Sequence, residues 1–150
     1  MKNFIFLGLI LFSSLSFACS CITANRENAV INTDVIISGK ILSQENLSVK
    51  NKRDRDFTAT VTKYTVLVIE NLKGKLKKDI ITIYGAASNC AYNFQVGESY
   101  IIFAIYKNRH LTDSKKVKKF IFTNKCTRTA KFDEQEIEKI KALCKEKGYS

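Results

Sequence analysis

Hydrophobic and polar positions alternate along much of the chain in the manner of β-strands. The longest such stretch is Thr58–Asn71, which places Tyr64, Val66 and Val68 on one face and Val61, Thr65, Leu67 and Ile69 on the other. The predicted strands are Asp34–Gln44, Thr58–Asn71, Asp79–Tyr84, Ser99–Lys107 and Val117–Thr123. Since all five are largely apolar on at least one face, they predict a mainly β domain built as a closed or nearly closed barrel.

The carboxy-terminal residues have the pattern of a helix. Its narrow apolar stripe, expected to lie on the barrel, repeats at i, i+3 and i+7 and consists of Ile137, Ile140 and Cys144. Asp133 is expected to cap the first turn, Glu136 to complete a capping box, and Phe132 to pack onto Ile137. Gly148 is a natural stop for the helix.

Three shorter segments complete the predicted fold. Residues 26–31 are expected to form a short helix close to the amino terminus. The strongly charged stretch Glu45–Asp56 is interpreted as an exposed hairpin tip, and Lys73-Gly74 as a tight turn in which glycine permits a positive φ.

The first 18 residues have the layout of a secretory signal peptide: a charged tip, a short apolar run and small residues. The apolar run is shorter than the ~20 residues that span a bilayer. Ser16 and Ala18, three and one positions before Cys19, match the preference of a general signal peptidase. We therefore expect cleavage before Cys19 and a single domain over residues 19–150.

A lipoprotein-type cleavage would also make Cys19 the first residue, but with its amine acylated. The bulky Phe17 and the position of Leu15 fit that signal less well. Plain cleavage predicts a secreted or periplasmic protein, and acylation predicts one anchored to a membrane. The chain contacts a membrane only in the second case.

Charge and cysteine content limit the partners, the cellular compartment and the metal sites that the sequence predicts. The formal net charge is +11 and falls to +10 when Lys2, the one charged residue of the signal peptide, is removed. Such an excess favours solubility and attraction to anionic surfaces. In an oxidising compartment an even subset of the five cysteines should pair and leave one thiol over. The wide separation of the cysteines and the single histidine, His110, count against a structural zinc site.

Familiar catalytic arrangements are missing from the sequence. It has no Gly-x-Ser-x-Gly motif, no glycine-rich phosphate loop and no metal-binding histidine pair. His110 lies in a polar stretch and is interpreted as a surface residue. The sequence therefore predicts a protein that is not an enzyme.

A series of short motifs connects the predicted new amino terminus with the strands and the downstream cysteines. In chain order they are Cys19-Ser20-Cys21, Asn32-x-Asp34-Val35-Ile36-Ile37, Leu72-Lys73-Gly74, Asp79-Ile80, Ser88-Asn89-Cys90, Gly97-x-x-Tyr100 and Cys126. Their order and spacing resemble the inhibitory domain of the tissue inhibitors of metalloproteinases, within the netrin-like module group, in a single-domain version of bacterial type. The resemblance covers nearly all of the mature chain and implies a five-stranded OB-fold-like barrel with a carboxy-terminal and a short amino-terminal helix.

The resemblance also implies disulfides and a mechanism. It pairs Cys19 with Cys90 and Cys21 with Cys126, which leaves Cys144 as a free thiol. The amino group and carbonyl oxygen of Cys19 would bind the catalytic zinc of a target metalloendopeptidase, so the inhibitor needs no cofactor of its own. The implied protease-contacting residues are Cys19, Ser20, Cys21, Ser88, Asn89 and Cys90. The expected partner is a zinc metalloprotease, bound by a monomer.

The sequence departs from the family in three ways. Ile31 stands where a third cysteine would partner Cys144, Ile22 and Thr23 replace a proline usual after the Cys-x-Cys motif, and the second domain of the animal inhibitors is missing. These departures leave a second hypothesis open: an envelope-anchored netrin-like binding module that carries lipid on Cys19 and does not inhibit.

A third hypothesis is a nucleic-acid binder that uses the barrel and the positive charge. It requires exposed aromatic side chains on which bases can stack. Tyr64, Phe103 and Phe120 instead fall in strand patterns that suit a core. We therefore expect no nucleic-acid partner.

Overall fold

The computed structural model describes residues 21, 24–50, 58–86, 89–107 and 119–149. Within these ranges the chain forms six strands, two α-helices and one turn of 3₁₀-helix. In chain order they are α1 (Arg26–Asn32), β1 (Val35–Lys50), β2 (Thr58–Lys73), β3 (Ile80–Ala86), β4 (Ser99–Lys107), β5 (Phe120–Thr123), the 3₁₀-helix (Lys125–Thr127), β6 (Ala130–Lys131) and α2 (Glu134–Glu146).

The first five strands close into a barrel. They are hydrogen-bonded in the order β1-β2-β3-β5-β4, and β1 also pairs with β4, which completes the ring. The β3–β5 pairing is parallel and the others in the ring are antiparallel. The predicted mainly β, OB-fold-like barrel is confirmed. The short β6, which the sequence did not predict, pairs with β4 through Tyr100 and Ile101.

The first hairpin is more regular than the sequence suggested. The stretch Glu45–Asp56 was interpreted as a hairpin tip, but residues 45–50 continue β1 and pair with β2 in register. Polar cross-strand pairs contribute here: Lys63 Nζ lies 3.3 Å from Glu45 Oε2, and Thr62 donates to Asn46 over 3.0 Å. Cross-strand pairs of this kind stabilise a ribbon that has little apolar surface to bury. The rest of the predicted tip lies outside the described residues.

The fifth strand is shorter than predicted. It begins at Phe120, so Lys119 precedes it, and residues 117–118 of the prediction lie outside the described part. His110, interpreted above as a surface residue, lies outside it too.

Two apolar cores share strands β1 and β4. The barrel core fills the interior and comprises Val35, Ile37, Ile41, Tyr64, Val66, Ile83, Phe94, Tyr100, Ile102 and Ala104. The helix-side core lies between the barrel and the helices and comprises Ala29, Val30, Ile36, Leu72, Ile101, Phe103, Ile137, Ile140 and Cys144. Because successive strand residues point to opposite faces, β1 and β4 supply both cores, which explains their continuous apolar runs.

Helix α2 packs as its sequence pattern predicted, with Ile137, Ile140 and Cys144 at most 3% exposed. Asp133 caps its first turn by accepting from the amides of Gln135 and Glu136. Lys147 and Gly148 end the helix, and Gly148 has a φ of 72°. Phe132 was expected to pack onto Ile137, but it is 46% exposed and lies outside the helix-side core.

The predicted turn after β2 requires its glycine. Gly74 has a φ of 99°, and a Cβ placed on it would come within 2.6 Å of the Asp34 carbonyl oxygen. The turn therefore combines a left-handed backbone with a close approach to the start of β1, and a larger residue would disturb both.

Candidate functional site

Half of the predicted contact residues lie in the described part of the chain. Cys21, Asn89 and Cys90 are described, whereas Cys19, Ser20 and Ser88 lie outside the described residues. The three described residues meet at one turn, formed by Asn124 to Arg128 and including the 3₁₀-helix. We call this segment the cysteine turn, because it carries Cys126.

A disulfide ties the amino-terminal segment to the cysteine turn. Cys21 is bonded to Cys126, with Cα atoms 5.1 Å apart and a sequence separation of 105 residues. Cys90 is disulfide-bonded as well, and its pairing with Cys19 stays a prediction because Cys19 is outside the described residues. Cys144 is a buried free thiol in the helix-side core.

Residues 89–90 are held against the same turn. The Lys125 amide donates to the Cys90 carbonyl oxygen over 2.9 Å, and Lys125 Nζ donates to the Asn89 carbonyl oxygen over 3.2 Å. Lys125 is the neighbour of Cys126 in the chain. The turn therefore supports both segments that the family resemblance assigns to protease contact.

Side-chain hydrogen bonds give the cysteine turn its shape. Asn124 caps the 3₁₀-helix by accepting from the Cys126 amide over 2.9 Å, and Thr127 completes a capping box. Behind the turn, the hydroxyls of Thr123 and Thr129 lie 2.9 Å apart and both donate to the Phe103 carbonyl oxygen. The turn is thus anchored on β4, the central strand of both cores.

The cysteine turn was not predicted from the sequence as a structural unit. The signal is present in the capping pair Asn124 and Thr127, three residues apart, and in the alternating threonines that follow β5. What the pattern alone did not reveal is that the hydroxyls converge on one carbonyl of a strand twenty residues earlier in the chain.

A second feature that was not predicted is an ionic network of Arg26, Glu136 and Arg128. Arg26 binds the Glu136 carboxylate with two hydrogen bonds of 2.8 and 2.6 Å, and Arg128 Nη2 lies 3.2 Å from Glu136 Oε1. Arg128 Nη1 also donates to the Ala24 carbonyl oxygen over 3.2 Å. Glu136, expected to complete the capping box of α2, therefore connects α1, α2 and the cysteine turn.

The network shifts the pKa values of Glu136 and Arg26. The hydrogen bonds from Arg26, and then those from Arg128, lower the pKa of Glu136 against the opposing effect of burial. The Glu136 carboxylate in turn raises the pKa of Arg26. Both shifts favour the charged forms of Glu136 and Arg26 at neutral pH.

A half-buried lysine, Lys73, closes the end of α1. Lys73 Nζ donates to the carbonyl oxygens of Val30, Ile31 and Thr33 over 2.5, 3.3 and 2.6 Å, and it lies 4.0 Å from the centre of the Tyr149 ring. Desolvation lowers the pKa of Lys73. Its ammonium group satisfies carbonyls that the helix leaves without an internal partner.

The closed barrel and the disulfide-held amino-terminal segment define the class of the molecule: a small, disulfide-stabilised, OB-fold-like domain. The chain belongs to the family of tissue inhibitors of metalloproteinases, whose sequence profile, described as "Tissue inhibitor of metalloproteinase", matches residues 17–145. The predicted family is confirmed, and so is the prediction that the protein is not an enzyme, since these proteins are inhibitors that bind metalloproteinases. No curated protein matched the chain.

The family is typically secreted. Among the described residues, no helix has the length and apolar character needed to cross a membrane.

Proposed function

We propose that the mature protein inhibits zinc metalloendopeptidases by binding the catalytic zinc through the amino group and carbonyl oxygen of Cys19. The observation that carries this proposal is the shared support described above. Cys21, two residues after Cys19, is bonded to the cysteine turn, and Asn89 and Cys90 are hydrogen-bonded to the same turn. A predicted Cys19–Cys90 bridge fits this arrangement, because both segments already meet there.

The chemistry follows from the first residue. A free amine and the carbonyl oxygen of the same residue form a five-membered chelate, and catalytic zinc keeps a coordination position open for ligands. Cys19 displaces the attacking water of the protease in this way. Ser20 directs its side chain into the pocket that receives the substrate residue after the scissile bond, and Ser88 and Asn89 form a second strip of contacts.

We call the two segments proposed to contact the protease, residues 19–21 and 88–90, the inhibitory edge. Their rigidity is a physical advantage. A segment held by disulfides before it meets the protease loses little conformational entropy on association. The inhibitor acts as a monomer in this proposal, and zinc is supplied by the target.

The proposed location is outside the cytoplasm, as a secreted or periplasmic protein. Disulfides persist in oxidising compartments, which fits the Cys21–Cys126 bond. Cleavage after Ala18 gives Cys19 the free amine that the mechanism requires. Acylation of that amine would remove the zinc ligand and leave a membrane-anchored binding module, so mass spectrometry of the amino terminus distinguishes the two forms.

Extending the chain by one alanine before Cys19 tests the chelation mechanism. The amine becomes an amide nitrogen and the added residue collides with the zinc site, so most of the affinity should be lost at every pH. In the parent, zinc binds only the neutral amine, whose ordinary pKa is about 7.7 to 8.0. Inhibition should therefore tighten from about pH 6 to about pH 8, against a protease whose own activity is flat over that range.

Circular dichroism and disulfide mapping of the extended protein are the controls, and both should match the parent. An extended protein that inhibits as well as the parent would show that the amine of Cys19 is not the zinc ligand. If neither protein inhibits any of a broad panel of zinc proteases, the binding-module hypothesis replaces inhibition.

A further inference from the structure

The network of Arg26, Glu136 and Arg128 lies next to the proposed inhibitory edge, yet none of its residues belongs to the predicted contact set. We infer that this network positions the edge: it fixes Ala24 and the start of α1 relative to the disulfide-bonded Cys21, with Arg128 as the principal positioning residue. The inference rests on the proposed function and adds to it the residues that orient the zinc-binding end.

Two attachments on one turn fix Ala24 relative to Cys21. Cys126 holds Cys21 through the disulfide, and Arg128, two residues further along the same turn, holds the Ala24 carbonyl oxygen at 3.2 Å. A single covalent attachment lets a segment rotate about the bond. A second attachment three residues along restricts that rotation, so Ala24 keeps one position relative to Cys21.

The guanidinium of Arg128 is itself held in place. Its Nη2 atom lies 3.2 Å from Glu136 Oε1, and the same oxygen accepts from Arg26 Nε at 2.8 Å. Glu136 is on α2, which packs on the helix-side core. Arg128 therefore connects the Ala24 carbonyl oxygen, through Glu136, to a helix that packs on the helix-side core.

The backbone of Arg128 supports a role for its side chain. It has a φ of 68°, and among the described residues it is the non-glycine residue with a positive φ, a conformation otherwise taken by Gly74, Gly97 and Gly148. Glycine adopts this conformation without steric cost, whereas arginine does not. Strain of this kind at a candidate site points to a function for the side chain that causes it.

A second ion pair shows that joining the two helices does not require this network. Lys147 Nζ lies 2.8 Å from Glu27 Oε1 and also connects α2 with α1, but it does not reach Ala24. The pair of Glu27 and Lys147 therefore offers a matched control: it links the same two elements without touching the amino-terminal segment.

The test compares Arg128→Gly with Lys147→Gln. Glycine keeps the left-handed backbone and removes both side-chain contacts, so the denaturation midpoint should stay close to that of the parent. The inhibition constant should rise about tenfold, because ordering the edge is then part of binding. Hydrogen exchange of residues 24–28 in the free protein should become faster. Lys147→Gln should leave the inhibition constant and this exchange unchanged.

Glu136→Gln weakens the network from the α2 side and should likewise raise the inhibition constant and speed the hydrogen exchange of residues 24–28. It provides the test if the Arg128→Gly protein does not fold. Inhibition and exchange both equal to the parent in these variants would overturn the inference. So would a loss of inhibition that merely follows a fall in the denaturation midpoint. If the parent inhibits no protease, the proposed function fails, and hydrogen exchange alone decides whether the network fixes Ala24 and the start of α1.

Discussion

The amino-terminal edge and the helix side of the barrel are held by different kinds of interaction. At the edge, the 3₁₀-helix that carries Cys126 has no buried residue, and the contacts are a disulfide and hydrogen bonds to main-chain atoms. On the helix side, Ile36, Phe103 and Ile140 are at most 1% exposed. Where little apolar surface is buried, covalent and polar attachments fix the chain, whereas packing suffices where much is buried.

The same difference explains how the chain departs from its family at Ile31. The family resemblance places a cysteine there as the partner of Cys144, but here Ile31 is 44% exposed and Cys144 is buried among apolar residues. Lys73 binds the carbonyls at the end of α1 in this region, and Tyr149 covers its ammonium group. A packed core and a half-buried lysine stand where the family pattern has a third disulfide.

The largest effect is expected from breaking the helix-side core. Ile137→Asp should lower the free energy of unfolding by about 4 kcal/mol, because it places an unpaired charge beneath α2. Denaturant unfolding measures the loss. Ile69→Asp, at a position that is 56% exposed, is the control and should change the midpoint little. A midpoint for Ile137→Asp equal to the parent would mean that α2 does not depend on this core.

Removing the disulfide at the inhibitory edge should lower the free energy of unfolding by a smaller amount. Replacing Cys21 and Cys126 together by alanine should lower the free energy of unfolding by about 3 kcal/mol, since the bond closes a long loop of the unfolded chain. The variant should keep its barrel by circular dichroism, because neither cysteine belongs to a core. Denaturant unfolding under oxidising conditions is the measurement. A loss larger than that of Ile137→Asp would reverse the comparison between the two regions.

The contribution of Lys73 to stability, in the region where the family pattern has a third disulfide, can be tested by substitution. Lys73→Met keeps the apolar stem but removes three hydrogen bonds to the end of α1, so it should lower the free energy of unfolding by about 2 kcal/mol. Lys77→Met, at an exposed position of the following loop, is the control. Equal midpoints for the two variants would show that the carbonyls of α1 find other partners.

The smallest effect concerns the pH dependence of the ionic network. In the folded state the pKa of Glu136 is lowered from its ordinary 4.5. The contribution of Glu136 to the free energy of unfolding is therefore fully present above pH 4.5 and is lost as pH falls through the folded-state pKa. At neutral pH, Glu136→Gln should cost at most about 1 kcal/mol. The difference from the parent should shrink below about pH 4.5.

Urea unfolding of the parent and Glu136→Gln from neutral to acid pH measures this convergence. Glu134→Gln, which removes an exposed carboxylate from the same helical turn, controls for the loss of one charge. A constant difference between parent and Glu136→Gln across the whole range would show that the two arginines do not act through the charge of Glu136.

Sequence patterns predicted the parts of the molecule that bury apolar surface. The alternation in β2 correctly separated buried Tyr64 and Val66 from exposed Leu67 and Ile69, and the stripe of α2 was found at its three buried positions. Tyr64, Phe103 and Phe120, expected in a core, are at most 6% exposed. Periodicity reports burial, so it succeeds wherever burial determines the structure.

The polar attachments were not predictable in the same way. Glu136 satisfies the sequence rule for a capping box, yet its carboxylate pairs with arginines from two other segments. Residues 45–50 have the charge of a loop, yet pair as a strand. In both cases the deciding partner is distant in sequence, and a local pattern carries no information about it. The Cys21–Cys126 bond was predicted through family resemblance, because the order and spacing of cysteines record such distant contacts.

The separation of 105 residues between Cys21 and Cys126 affects the order of events during synthesis and disulfide formation. Chains are made from the amino terminus at about 5–20 residues per second, so Cys21 is available several seconds before its partner exists. Cys90 is made in the interval, and any bond that Cys21 forms before Cys126 arrives is non-native. The native bond therefore forms only after most of the chain is complete, and its rate depends on how fast the surrounding compartment catalyses disulfide formation.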